Sequence, residues 1–162
     1  MNEKWFAIAD MKTARSQSAA CRINDDEILV CGGYHKEIGT LDSIERYIIA
    51  KDKFVASELK LPIPLRRFMI IRVSKNQALV LGGLTRSSKE SQRVFKLDYE
   101  KGTFAELENL EKGGVIENEV LIDSEGNIHL FLEHSNGTSP HSHIKYPYDP
   151  TREGYETKQI DR

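Results

Sequence analysis

The chain has no surplus of positive charge: its 23 lysines and arginines face 25 aspartates and glutamates, a formal net charge of -2. A protein that tracks a phosphate backbone needs a basic patch or stripe, so nucleic acid is not an expected partner. Long apolar runs are missing too. None approaches the ~20 residues of a membrane-spanning helix, and the start Met1-Asn2-Glu3-Lys4 is polar, unlike a secretory leader. A cytoplasmic location is the resulting expectation, with no membrane contact. Cysteine is scarce, with only Cys21 and Cys31, which leaves no disulfide framework. The two fall on consecutive strands of one expected hairpin, near enough for a bridge. Without a secretory context, however, they are expected to be reduced and packed as small apolar side chains. Asn136-Gly137-Thr138 fits the glycosylation acceptor pattern and for the same reason is read as a turn. No nucleophile elbow, phosphate loop or paired-carboxylate motif occurs, so no catalytic residue and no cofactor is assigned.

What the sequence does contain is a period. Ile28-Leu29-Val30-Cys31-Gly32-Gly33 returns fifty residues later as Ala78-Leu79-Val80-Leu81-Gly82-Gly83, and again, without its glycines, as Ile128-His129-Leu130-Phe131-Leu132-Glu133. An apolar run of this length with no polar alternation suits a strand buried on both faces and is short for a helix. The glycine pair lets the chain turn where a Cβ would clash. Aromatics keep the same period: Tyr47 and Phe54 are seven apart, as are Leu97 and Phe104, and Tyr148 and Tyr155, while Trp5 lies forty-nine residues before Phe54. A fixed period of this size means a repeat architecture.

Each unit reads as a four-stranded antiparallel meander. In the first the strands run near 17–23, 28–31, 43–49 and 54–59, in the second near 68–73, 78–81, 93–97 and 104–107, and in the third near 119–122, 128–132, 144–148 and 155–160. The units are bounded at 15–60, 65–110 and 115–160. Residues 5–11 precede them, with Trp5 to Ala9 expected as the last strand of a preceding unit. The fourth strands mix in charge (Ser57 and Glu58, Glu106, then Glu156, Lys158 and Gln159) and are expected at an exposed rim. With 162 residues, 39% apolar and 30% charged, the chain suits one globular domain with a sizeable core.

Gly32-Gly33, Tyr47, Phe54, Pro62 and Arg66, then Gly82-Gly83, Leu97-Asp98 and Phe104, then Tyr148-Asp149-Pro150 and Tyr155, preceded by Trp5, Met11 and Arg15, together resemble the kelch repeat. The resemblance covers nearly the whole chain. It implies an all-β fold of three four-stranded propeller blades, the third degenerate, plus one extra N-terminal strand. Propellers close with about four to eight blades. Three units and a surplus strand are therefore expected to be a segment of a larger ring, with self-association through its exposed end blades.

Strand parity puts the loops leading into each first strand (11–15, 61–67, 110–114) on the same side as those between second and third strands (34–41, 84–91, 133–143), and long loops on a rigid scaffold are where binding residues sit. Arg15, Arg66 and Arg67 are the candidates there, with Tyr34, His35 and Arg86 as neighbours. In kelch proteins arginines at the matching place contact acidic peptides, and a guanidinium fork suits a carboxylate. The bland alternative is an arginine that donates to carbonyls of the adjoining blade. The resemblance thus implies a protein-binding module for a partner protein or acidic peptide. A BTB or F-box region upstream would make it the substrate-recognition part of a ubiquitin ligase. The alternative class is a kelch-like enzyme, a metal-dependent oxidase or sugar-acting protein, and the only metal candidates are the weak set His134, His141 and His143. Trp5, Phe54, Phe104 and Tyr155, one per repeat, are read as packing between blades and not as a stacking platform.

Overall fold

The computed structural model describes residues 4–115, 120–133, 142–148 and 155–156, and these are all-β, with one turn of 3-10 helix at Ile49–Lys51. In the first unit β1 (Ala19–Arg22) and β2 (Glu27–Cys31) form a hairpin. A small excursion, β3 (Tyr34–His35) with β4 (Gly39–Thr40), leads into β5 (Ser43–Ile48) and β6 (Lys53–Lys60), giving the sheet order β1-β2-β5-β6. The second unit enters through the short β7 (Leu65–Arg66). It continues with β8 (Met69–Ser74), β9 (Gln77–Leu81), β10 (Leu84–Thr85), β11 (Val94–Asp98) and β12 (Thr103–Glu106), of which β8, β9, β11 and β12 make the second sheet. The third sheet has three described strands, β13 (Leu121–Ile122), β14 (Ile128–Leu132) and β15 (Ser142–Tyr146).

The seven-residue aromatic spacing is a hairpin register. Tyr47 lies opposite Phe54, their ring centroids 4.9 Å apart, and Leu97 lies opposite Phe104. The chain reverses between the first pair through the 3-10 turn and Asp52, whose φ of 41° and carboxylate, 2.8 Å from the Tyr47 hydroxyl, fix the corner.

The three sheets stack face to face in chain order, and the period-2 alternation of each strand divides its side chains between two cores. Ala78, Val80, Phe95 and Leu97 of the second sheet pack with Cys21, Ile23, Leu29, Cys31 and Ile44 of the first. From the opposite face of the second sheet, Leu79, Leu81 and Val94 pack with Ile128, Leu130, Leu132 and Ile144 of the third. This explains why β9 is apolar without alternation: Ala78 to Leu81 are all fully buried, with a sheet on either side. At each such position burial contributes roughly 1.5–3 kcal/mol for a Val, Leu or Phe side chain. A polar link joins the same two sheets, the Tyr99 hydroxyl donating to Glu27 at 2.5 Å while Arg46 pairs with that carboxylate at 3.1 Å.

The glycine pair is required by how closely successive units approach. Gly33 N–H donates to the Leu65 carbonyl of the second unit, and a Cβ on Gly32 would stand 2.5 Å from that same oxygen. Gly83 N–H donates to the Gly114 carbonyl in the same way. In the third unit the small residue has changed sides of the contact: Leu132 ends the strand, and Gly114, where a Cβ would lie 3.0 Å from the Leu132 Cβ, makes the room.

Two expectations are corrected. Trp5 to Ala9 form no strand: Trp5 is fully exposed, Phe6 and Ile8 are mostly so, and the third strands of the first two sheets, β5 and β11, are already paired with β6 and β12. Of the expected strand 155–160, residues 157–160 lie outside the described residues, and Tyr155–Glu156 form β16, which pairs with β12 of the second sheet as a fifth strand there instead of a fourth in the third sheet. The reason is register. Ile128 lies opposite Tyr146, as Ile28 lies opposite Tyr47 and Ala78 opposite Leu97, so Tyr146 and not Tyr148 holds the third-strand position, and Tyr155 falls out of phase with it. The described residues form a stack with two ends, the first and third sheets, which agrees with the incomplete closure expected of three units. Among them no helix is long and apolar enough to cross a membrane.

Candidate functional site

On one side of the stack the segment entering each unit pairs with the residue that follows its second strand. Ser16 bridges Tyr34, Leu65–Arg66 pairs with Leu84–Thr85, and Val115 bridges Glu133. Arg15, Leu65 and Gly114 are thus equivalent positions, and Ser16, Arg66 and Val115 are the next. One residue of offset separates two arginines that the repeat spacing alone places together.

Arg15 points inward, its side chain fully buried. Its Nη1 donates to the carbonyls of Gly32 at 2.8 Å and Ser43 at 3.0 Å. Its Nη2 donates to Ser43 Oγ at 3.2 Å and Glu45 Oε1 at 2.8 Å. Glu45, 2% exposed, also accepts the backbone N–H groups of Lys12 at 2.7 Å and Thr13 at 2.9 Å. Burial pushes the Glu45 carboxyl up, but the hydrogen bonds from Lys12, Arg15 and Thr13 outweigh it and hold the group below the ordinary carboxylate range. Arg15 is therefore a brace tying the lead-in segment to β5, with no guanidinium surface for a partner. The signal for Glu45 lay in the repeat alignment: Val30 faces Glu45, Val80 faces Phe95, and Leu130 faces Ile144, so a charge stands in a column that is otherwise apolar.

Arg66 is half-buried and lies over the Tyr34 ring, 5.6 Å from its centroid. It donates to Gln17 Oε1 at 2.9 Å and Ser88 Oγ at 3.0 Å. Both acceptors are neutral, and among the described residues no carboxylate pairs with it. Arg67, in the left-handed region at φ 51°, forms an ion pair with Glu133 at 3.6 Å. Gln17, in the matching place of the first unit, has φ 56° and accepts the Arg67 N–H with its carbonyl. Arg86 is exposed and reaches the Thr40 carbonyl at 3.5 Å. His35 Nδ1 accepts the N–H groups of Glu37 and Ile38, so its ring closes its own loop. Beside these residues an open groove of about 780 Å³ runs between β1 and β8, lined by Ala19, Ala20, Phe68 and Met69 with Gln17 and Arg67 at its rim.

Of the histidine candidates, His134 and His141 lie outside the described residues. His143 stands on β15 beside His129 of β14. Its Nε2 is 2.9 Å from His129 Nδ1, while His129 Nε2 is 3.1 Å from Asp123 Oδ2, and Phe131 stacks on the His143 ring at 4.8 Å. Asp123 is held far below the ordinary range, first by Asn127 and then by His129. Because Asp123 and His143 occupy opposite nitrogens of one ring, the three cannot converge on one ion, and no metal cluster occurs among the described residues. The thiols of Cys21 and Cys31 are free and pushed up by burial, which keeps them from acting as thiolates at neutral pH.

Compared with known proteins, the chain matches no family model, and no curated protein matches it.

Proposed function

We propose that this chain is an array of kelch-type propeller blades that binds an acidic segment of a partner protein on the loop side, around Arg66. The observation that carries the reading is the state of that guanidinium. It is aligned by Tyr34, Gln17 and Ser88, none of which neutralises it, and it remains partly open to solvent. A pre-oriented fork with uncompensated charge is suited to a carboxylate, because the ordering of the side chain precedes binding. Arg86 adds a second cation on the same side, while Tyr34 and His35 supply the adjoining surface. Arg15 and Arg67 drop out of the contact set, the one buried on Glu45 and the other paired with Glu133.

The test is fluorescence anisotropy with labelled Asp/Glu-rich peptides against the full chain. Binding should weaken as salt rises. Arg66→Ala should weaken it by roughly 10- to 100-fold, the worth of a charge-assisted hydrogen bond removed at about 1.5–3 kcal/mol, and Arg86→Ala by less. Peptide binding indifferent to both substitutions, or the absence of any binding, overturns the proposal.

A further inference from the structure

The two ends of the stack are complementary. At one end Trp5 to Ala9 are in phase with the fourth strands β6 and β12 but belong to no sheet, with Trp5, Phe6 and Ile8 exposed. At the other end the third sheet has three described strands where the first two units have four, and among the described residues β15 is its edge. Of the segment 155–160 that was expected to complete it, the described residues Tyr155–Glu156 are engaged on β12. We propose that a second copy of this chain completes the third sheet: Trp5 to Ala9 of each copy add to β15 of the other, and two three-sheet stacks close into one six-sheet ring.

The register follows from the two hairpins present. Phe54 lies opposite Tyr47 and Val55 opposite Arg46; Phe104 lies opposite Leu97 and Ala105 opposite Lys96. In the third sheet Tyr146 and Lys145 hold those third-strand places, so Trp5 of the second copy falls opposite Tyr146, Phe6 opposite Lys145 and Ala7 opposite Ile144. A chain's own segment cannot reach: Ala9 N–H is held by Asp52 of the first sheet at 3.0 Å, and the third sheet lies two sheet spacings away, ~20 Å, which exceeds the ~14 Å that Trp5 to Ala9 span when extended.

The end faces agree with this. Leu121, His129, Phe131 and His143 occupy the positions at which Ile71, Leu79, Leu81 and Val94 seal the second sheet against the third. On the outer face of the first sheet, Ile28 and Val30 match Ala78 and Val80, which seal the second sheet against the first. Two copies use both end faces twice with none left over, and six sheets fall within the ~4 to 8 that close a ring.

Light scattering on the full chain, coupled to size exclusion, tests the proposal, and the expected species is a dimer. Trp5→Asp with Phe6→Asp changes side chains that touch nothing needed for the monomer's fold, as an unchanged melting curve of the diluted protein would verify. The pair should raise the dimer dissociation constant by roughly 100-fold or more, since two buried aromatic anchors are lost. Phe6→Cys with Lys145→Cys should give a reducible covalent dimer, whereas Ala7→Cys with Lys145→Cys, one residue out of register, should not. A monomer at every concentration, an open series of larger species, a dimer that survives the aspartates, or equal cross-linking of both cysteine pairs overturns it.

Discussion

Replacing Glu45 by Gln is the sharpest probe of how the first unit is held to its lead-in segment. The shape is conserved and only the charge goes, but the Arg15 guanidinium, fully buried, keeps its carbonyl acceptors and loses its counter-charge. The new amide also turns one acceptor into a donor facing N–H groups from Lys12, Thr13 and Arg15. Breaking one partner of a buried pair costs about 3–5 kcal/mol, a large share of the ~5–15 kcal/mol that holds a domain folded. Arg15→Leu should cost a similar amount for the mirror reason. The second unit supplies the informative double variant, because Leu65 and Phe95 hold the places of Arg15 and Glu45 and are fully buried. Arg15→Leu with Glu45→Phe removes both charges and leaves the Lys12 and Thr13 N–H groups without an acceptor, at about 1 kcal/mol each. The double should therefore cost about 1–3 kcal/mol, less than either single change. The measurement is the urea midpoint at unchanged m-value. Glu45→Gln costing under about 1 kcal/mol, or a double variant as destabilised as the sum of the singles, would refute the account of the brace.

Gly33→Ala should be far worse than Gly39→Ala, although both have positive φ: a Cβ at Gly33 would stand 2.6 Å from the Ser16 carbonyl oxygen, and one at Gly39 meets nothing within 4 Å. Only the backbone cost of about 1–2 kcal/mol applies at Gly39, so equal melting temperatures for the two variants would sink the close-approach argument. Acid should destabilise the fold. Glu45, Asp98 through the Lys101 N–H, and Glu106 through Arg93 are all held below their ordinary range, so the unfolded chain takes up protons first as pH falls. The stability they contribute near neutrality is then lost as pH drops from about 5 through their folded values. Melting temperature should fall steadily across that window, and a flat profile from pH 5 to pH 3 contradicts it.

The fold was legible wherever a residue's role depends on its own strand. Period-2 and continuous apolar patterns located the strands of the first two units within a residue or two, because Ala78 to Leu81 must be apolar if two sheets cover them. It was illegible where the outcome depends on what is available to pair with. Trp5 carries the aromatic signal of a fourth strand, yet a strand forms only beside a free third strand, and β5 and β11 already hold β6 and β12. Tyr155 carries the same signal and pairs with β12, since β15 places Tyr146 where the seven-residue spacing assumed Tyr148.

The candidate site shows the same limit at the scale of one residue. Arg15 and Arg66 both follow the aromatic of the preceding segment, and spacing alone assigns them one role. In an extended lead-in segment successive side chains face opposite ways, so a shift of one residue turns a surface guanidinium into a buried one. Arg15 shares its position with Leu65, and Arg66 shares its own with Ser16. Which position holds the charge decides what its partner must be: inward, the guanidinium needs a carboxylate from its own chain, and Glu45 supplies it from a column that is elsewhere Phe95 and Ile144. Outward, it needs none to fold, and among the described residues Arg66 is aligned by Tyr34, Gln17 and Ser88. That no carboxylate pairs with Arg66 among the described residues is thus the counterpart of the presence of Glu45 at Arg15, and on this difference rests the proposal that Arg66 serves a partner.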